Sequence, residues 1–125
     1  MLANYRDNRC YIVAEIGGNF TDFEQARKLI DEAANCGVDS VKIQTYRAET
    51  VASKRAVFYM ENTGVASQYD LFKQYEIDED LHRQVFEYIA SKKLDWFSTP
   101  SHEKDVELLD ALEVPAYKVG SDDAV

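Results

Sequence analysis

The sequence predicts an α/β fold built on a parallel sheet. Four short apolar runs are typical of buried strands, and helical patterns alternate with them along the chain; the runs are Tyr11–Ile16, Ser40–Thr45, Leu94–Thr99 and Ala116–Ser121. This alternation favours parallel strands joined by right-handed crossovers. Each run carries a polar or charged residue near its C-terminal end. Because ligands bind at the C-terminal ends of parallel strands in such folds, these interruptions predict a functional site.

A helix is predicted between the first two runs. Thr21 and Glu24 have the spacing of a capping box, and Gly37 stands where a left-handed C-terminal cap is expected. The apolar residues between them recur at helical spacing, which indicates one buried face. That face comprises Phe23, Ala26, Leu29, Ile30, Ala33 and Ala34.

Residues 46–78 form the least regular part of the chain, and long excursions of this kind are often functional. Within them, residues 67–75 favour a short helix. A second helix is predicted over 78–92, and a third opens at Pro100 and ends before Val114 and Pro115. The apolar faces of these two helices comprise Leu81, Val85, Tyr88 and Ile89, and Val106, Leu108, Leu109 and Leu112.

Composition limits the classes of function. The 125 residues are 46% apolar, which indicates one globular domain or part of a larger one. A net charge of −9 argues against nucleic acids and anionic membranes as partners. No run approaches the roughly 20 apolar residues of a membrane span, and the N-terminus lacks the core of a signal peptide. We therefore expect a cytoplasmic protein in which Cys10 and Cys36, which lack metal-ligand spacing, are small buried thiols.

Strand phase places the polar residues on one side of the sheet, because side chains alternate between the two faces of a strand. In the second run, Lys42 and Gln44 share a face. One consistent arrangement gives a common interior face of Glu15, Lys42, Gln44, Thr99 and Lys118. The opposite face then packs on helices through Ile12, Ile16, Val41, Ile43, Trp96, Tyr117 and Val119.

Two lysines beside one carboxylate predict a pocket for an anionic small molecule, since ammonium groups are strong donors to phosphate and carboxylate oxygens. Hydroxyl donors are available from Ser98, Thr99 and Ser121. The competing interpretation is structural: Glu15 and Lys42 pair within the sheet, and Lys118 lies at a solvated strand end.

By these residues the chain resembles the N-acetylneuraminate (sialic acid) synthase family. The matching segments, in the family's order over nearly the whole chain, are Ala14–Asn19, Val41–Thr45, Ser67–Leu71, Phe97–Pro100 and Ala116–Ser121. The resemblance implies that residues 1–125 form the first half of a (β/α)₈ TIM barrel, ending after strand four. It also implies a transferase that condenses phosphoenolpyruvate with an N-acyl amino sugar such as N-acetylmannosamine. The products are a nine-carbon 2-keto sugar acid and phosphate.

Site residues follow from the same resemblance. It implies that phosphoenolpyruvate is bound by Lys42, Thr99, Lys118 and Ser121. Glu15 matches a carboxylate with a catalytic role near the reacting carbons, and Gln44 and Asp123 match positions that face the sugar. The loop around Asn62 and Thr63 is a further candidate phosphate donor. The family uses Mn²⁺ or Mg²⁺ to polarise the sugar aldehyde, and we expect a homo-oligomer.

The sequence also departs from the family pattern. Phe20 follows Asn19 where the family commonly has His, and Asp122 replaces a glycine after the fourth run. In the family, the two metal-binding histidines lie on later strands than the four matched here, and an antifreeze-like domain follows the barrel. We therefore expect no metal ligands in this chain. His82 and His102 are interpreted as solvated helix residues. The glycines after the first run favour the sialic branch over the pseudaminic one and leave the legionaminic branch open.

Two other functions stay open from the sequence. In the first, Lys42 or Lys118 is the Schiff-base nucleophile of an aldolase, a role that a desolvated lysine can take. In the second, the chain is a non-catalytic half-barrel fragment that self-associates, because an open parallel sheet leaves apolar residues and strand edges uncovered. Under the synthase interpretation, we expect the 125-residue chain alone to be inactive.

Overall fold

The computed structural model describes residues 2–6, 8–56, 62, 64, 65, 67–121 and 124. Strands and helices alternate through most of this chain, which confirms the predicted α/β class. The elements in order are β1 (Val13–Glu15), α1 (Phe23–Asn35), β2 (Ser40–Thr45), α2 (Ala48–Val51), α3 (Gln68–Tyr75), α4 (Glu79–Ser91), β3 (Asp95–Pro100) and α5 (Glu103–Ala111).

The three strands form one parallel sheet in the order β1, β2, β3. Glu15 pairs with Lys42, and Gln44 pairs with Thr99, so polar residues lie side by side across the ladder. The predicted fourth strand is reduced to a bridge between Ser98 and Tyr117. There the Lys118 N–H donates to the Ser98 carbonyl at 2.9 Å, which keeps the segment parallel to β3.

The first strand is shorter than predicted because Asp39 redirects the chain before it. The Asp39 carboxylate accepts from the Ile12 N–H at 2.8 Å, and the Ile12 carbonyl accepts from the Asp39 N–H at 2.9 Å. Regular pairing therefore begins only at Val13. The ladder contact continues past Glu15, where the Ile16 N–H donates to the Lys42 carbonyl at 3.0 Å.

Most helix boundaries agree with the sequence patterns. Asp22, not Thr21, caps α1, because its carboxylate accepts from the Gln25 N–H at 2.9 Å. Gly37 has the expected left-handed backbone, with φ of 75°. Ser67 and Asp78, the first residues of two predicted helical ranges, are the N-caps of α3 and α4, whereas α2 has no sequence signal. The third helix does not open at Pro100 as predicted, because Pro100 pairs with Thr45 at the end of β3 and α5 begins at Glu103.

The core lies between the sheet and α1, α4 and α5. Its buried members are Ile16, Phe20, Ala26, Ile30, Ala33, Val41, Ile43, Ile77, Val85, Phe86, Ile89, Leu109 and Val114. Phe20, the departure from the family pattern, is 2% exposed and is therefore a packing residue here.

Three residues assigned to the helix-packed face are exposed instead. Ile12 precedes the sheet at its β1 edge, and Tyr117 and Val119 lie beyond the other edge; their exposures are 52%, 40% and 66%. In the described part of the chain, α5 is the last helix, so none follows to cover Tyr117 and Val119. Val106 is also exposed, because α5 turns Asp105 and Leu109 inward in its place.

The predictions were wrong for the two cysteines and for His82, whereas His102 is half-buried at a helix end. Cys10 and Cys36 are exposed, since each lies outside the packed elements, one before β1 and the other at the end of α1. His102 is the N-cap of α5, where its ring accepts from the Lys104 N–H at 3.2 Å. His82 lies on the buried side of α4 and is 1% exposed.

Buried hydrogen bonds explain the position of His82. Its Nδ1 lies 2.7 Å from the Asp78 carbonyl, and its Nε2 lies 3.0 Å from Thr45 Oγ1. Thr45 Oγ1 in turn lies 2.7 Å from Ser98 Oγ. A carbonyl can only accept, so a neutral ring donates from Nδ1 and accepts from Thr45 at Nε2. Burial lowers the pKa of His82 and favours this neutral form.

A search of the described ranges finds no helix long and apolar enough to cross a membrane.

Candidate anion-binding site

The polar interruptions of the strands meet around one cavity of about 510 Å³ at the C-terminal edge of the sheet. Six of the predicted site residues line it, namely Glu15, Lys42, Gln44, Thr99, Lys118 and Ser121. Paired residues of parallel strands point to the same face, so the register alone brings most of them together. The five residues that strand phase placed on a common face therefore line one cavity.

Lys42 is the central donor of this cavity. Its Nζ is ion-paired with the Glu15 carboxylate and donates to Thr99 Oγ1 at 3.0 Å. The Lys42 side chain is 12% exposed, whereas that of Glu15 is 41% exposed. An ammonium held between two oxygens can turn toward an incoming anion while keeping one of these contacts. The pairing therefore fits both a structural role and an anion site, and the cavity beside it favours the site.

Backbone geometry fixes the Glu15 carboxylate from the other side. Its Oε1 accepts from the Gly17 N–H at 2.8 Å. A Cβ on Gly17 would lie 2.7 Å from the Gln44 backbone nitrogen and 2.8 Å from Glu15 Oε1. Only glycine fits in this space, so the tight turn after β1 sets the positions of Glu15 and Gln44 together.

Ser98 does not supply the hydroxyl donor to the pocket that the sequence predicted. Its hydroxyl is fully buried and donates to the Ile43 carbonyl at 3.1 Å, on the side that packs on α4. Strand alternation explains this, because Ser98 lies between Phe97 and Thr99 on β3. Ser101, which comes directly after β3, lines the cavity and supplies a hydroxyl there instead.

An apolar wall of the cavity has no counterpart among the sequence predictions. It consists of Tyr46, Val51 and Phe72, which line the cavity together with Gln68. The Tyr46 and Phe72 rings meet edge to face at 5.2 Å. Burial raises the pKa of Tyr46 to about 12, with a further contribution from the negative charge of Glu76. The motif Ser67–Leu71 contributes Gln68 to the lining, but none of its residues belongs to the wall.

Two predicted positions lie outside the described residues, namely Asp123 and Thr63. Within the described ranges, no three His, Cys, Asp or Glu side chains lie close enough to hold a metal ion. These residues therefore do not provide a site for the divalent cation that the resemblance implies.

A profile of the NeuB family matches residues 29–125, which is more than half of the chain. The chain belongs to the NeuB family. It is 32% identical over 117 residues to the N,N'-diacetyllegionaminic acid synthase of Legionella pneumophila, covering 90% of this chain and 33% of that protein. It is also 32% identical over 124 residues to a pseudaminic acid synthase of Campylobacter jejuni, covering 94% of this chain and 36% of that protein.

Structural comparison agrees with this membership. The N-acetylneuraminic acid synthetase of Leptospira borgpetersenii, solved in complex with citrate, superposes with a TM-score of 0.79 at 26% identity. The match covers 93% of this chain and 38% of that one. This NeuB family chain thus spans about a third of the length of these two curated relatives. These two relatives are named for different sugar acids, and the chain is 32% identical to each of them. Sequence identity therefore does not distinguish the legionaminic branch from the pseudaminic branch.

Proposed function

We propose that this NeuB family chain forms the phosphoenolpyruvate-binding half of a sialic-acid-type synthase barrel. One observation carries the proposal: Lys42, Thr99, Lys118 and Ser121 line the same cavity as the carboxylate of Glu15. Ammonium and hydroxyl donors at the C-terminal ends of parallel strands suit an anion with phosphate and carboxylate groups.

In the proposed reaction, carbon 3 of phosphoenolpyruvate attacks the aldehyde carbon of an N-acyl amino sugar. Water adds at carbon 2, and the tetrahedral intermediate loses phosphate by C–O cleavage. Lys42 and Lys118 hold the anionic groups, and Glu15 lies beside them near the reacting carbons. Gln44, paired with Thr99 on the same face, is positioned toward the sugar end. No step assigned to these residues depends on the divalent cation, whose ligands we place outside this chain.

The contacts of Lys42 favour the synthase over a Schiff-base aldolase. A nucleophilic lysine needs a free amine, but Lys42 donates to both Glu15 and Thr99, as an ammonium group does. Borohydride trapping with pyruvate separates the two reactions. We expect no adduct, and a stable adduct on Lys42 or Lys118 would contradict the synthase mechanism.

Calorimetric titration with phosphoenolpyruvate tests the binding role directly. Replacing one charged donor removes about 1.5–3 kcal/mol of interaction, so Lys42→Met should weaken binding by roughly 10- to 150-fold. Lys28→Met, which removes an exposed lysine on α1, is the matched control and should leave the affinity unchanged. Failure of the wild-type chain to bind, or equal affinities for the Lys42 variant and the control, would refute the proposal.

Catalysis is proposed to need residues beyond this sequence. The purified chain should therefore bind phosphoenolpyruvate without condensing it with N-acetylmannosamine, and phosphate release assays should stay at background. Measurable condensation by the 125-residue chain would contradict this expectation.

A further inference from the structure

One carboxylate links the two helices that carry the apolar wall of the cavity. Glu76 lies just after α3, and its side chain is 10% exposed. Its Oε2 accepts from the Ala48 N–H at 2.9 Å, at the first residue of α2. Its Oε1 accepts from Lys73 at 3.0 Å and from Arg47 at 3.2 Å. Glu76 thus ties the start of α2 to the end of α3.

These contacts keep Glu76 ionised. Burial alone would raise its pKa, but the Ala48 N–H, Lys73 and Arg47 together outweigh burial, and the pKa of Glu76 lies below its ordinary value. A buried carboxylate with three donors is costly to disturb, because removing it leaves the Ala48 N–H and two cations without their acceptor.

The residues that Glu76 joins belong to the same two segments as the wall residues. Tyr46 immediately precedes Arg47, Val51 ends α2, and Phe72 lies on α3. The helix α2 has only four residues and no side-chain cap of its own at Arg47, so it depends on external contacts for its position. The Glu76 bond to the Ala48 N–H and the Tyr46–Phe72 ring contact are two such contacts.

The lining of the cavity combines two kinds of residue. Lysine and hydroxyl donors come from the strand ends and the segment after them, and Tyr46, Val51 and Phe72 add an apolar surface. An anion without carbon, such as inorganic phosphate, needs only the donors. A ligand that joins an anionic group to a small apolar carbon group can contact both kinds of residue.

We propose that Glu76 is a positioning residue that holds this wall against the carbon part of the anionic ligand, and so sets the preference for an organic phosphate over inorganic phosphate. The inference rests on the proposed function, which it deepens by assigning selectivity to the segment between β2 and α4. Glu76 acts through its bonds to the Ala48 N–H, Arg47 and Lys73 and is not part of the cavity lining.

The test compares Glu76→Gln and Glu76→Ala with the wild-type chain in titrations with phosphoenolpyruvate and with inorganic phosphate. We expect phosphoenolpyruvate affinity to fall about tenfold in Glu76→Ala, and less in Glu76→Gln, which keeps an acceptor oxygen for the Ala48 N–H. Affinity for inorganic phosphate should change less than twofold. Glu24→Ala, which removes an exposed ion pair with Arg27, is the control and should change neither affinity.

Hydrogen exchange provides a second measurement that needs no ligand. In Glu76→Ala, which removes the acceptor of the Ala48 N–H, amide exchange should accelerate in residues 46–52 and 68–75 and stay unchanged in β2 and β3. A parallel loss of both affinities would indicate general destabilisation and overturn the inference, as would unchanged exchange in α2. If the wild-type chain binds neither anion, the proposed function is wrong, and exchange alone decides whether Glu76 holds the wall.

Discussion

Protonation of His82 should make the stability of this fold depend on pH in a defined direction. Burial lowers the pKa of His82 from its ordinary value of 6.5, with Arg47 contributing in the same direction and Asp78 and Glu79 opposing it. The folded state therefore favours the neutral ring, and the unfolded state binds a proton more readily. The stability contribution is complete above pH 6.5 and is lost as the pH falls from there toward the lower pKa of the folded state.

The magnitude follows from linkage. One proton bound only by the unfolded state changes the free energy of unfolding by about 1.4 kcal/mol per pH unit. Between pH 6.5 and pH 5, His82 accordingly contributes a loss of at most about 2 kcal/mol. That loss is a large fraction of the roughly 5–15 kcal/mol that stabilises a typical domain.

His82→Gln removes the titration and keeps a polar group near the position of Nε2. We expect a cost of about 1–3 kcal/mol at pH 7.5, because the Asp78 carbonyl or Thr45 Oγ1 loses its partner. The difference from wild type should then shrink as the pH is lowered to 5. Urea unfolding, followed by the fluorescence of the single tryptophan Trp96, measures the free-energy difference at pH 7.5 and at pH 5.

His102→Asn is the matched control, because asparagine is also a good N-cap and the other histidine of the chain is retained. It leaves the contacts of His82 intact, so it should keep the loss of stability between pH 6.5 and pH 5 that is predicted for His82. A constant difference between wild type and His82→Gln from pH 7.5 to pH 5 would refute the assignment of a neutral, buried His82.

Two further predictions concern the site and the N-terminal side of the sheet. Gly17→Ala should weaken phosphoenolpyruvate binding at least tenfold, because the new Cβ would meet Gln44 and Glu15. Gly37→Ala meets nothing within 4 Å and should cost only about 1 kcal/mol through its positive φ; equal binding losses in calorimetry would contradict this reasoning. The Tyr11 hydroxyl donates to the Asp95 carboxylate at 2.7 Å. Burial raises the pKa of Tyr11 to about 12, and Asp95 contributes in the same direction. Stability should therefore fall between pH 10 and pH 12 as the unfolded state ionises, and Tyr11→Phe should reduce that loss; an unchanged alkaline slope in urea unfolding would disprove it.

Local rules predicted the strand faces and most helix ends. The residues Lys42 and Gln44 share a face because alternation along a strand is fixed by backbone geometry. The helix limits at Asp78 and Lys92 agree with the structure because caps are set by neighbouring residues. The N-cap of α1 is Asp22 and not Thr21. Both residue types are favourable at an N-cap, so sequence spacing alone does not distinguish between two neighbouring candidates.

Long-range packing decided what local rules could not. The polarity of His82 predicted an exposed side chain, but Thr45 and Asp78 supply hydrogen bonds inside the core that compensate for its burial. The apolar wall likewise depends on Glu76, which lies 28 residues from Ala48 along the chain. No periodicity relates these positions, so their contact is invisible to pattern analysis.

The sequence by itself therefore determined the α/β class, the shared polar face of the strands and the resemblance to sialic acid synthases, because these rest on residue type and strand phase. Only the tertiary structure showed that Lys42 is shared between Glu15 and Thr99, and that Tyr46 and Phe72 line the same cavity. The physical reason is that alternation fixes where a side chain points, whereas its partners are chosen by elements brought together from distant parts of the chain.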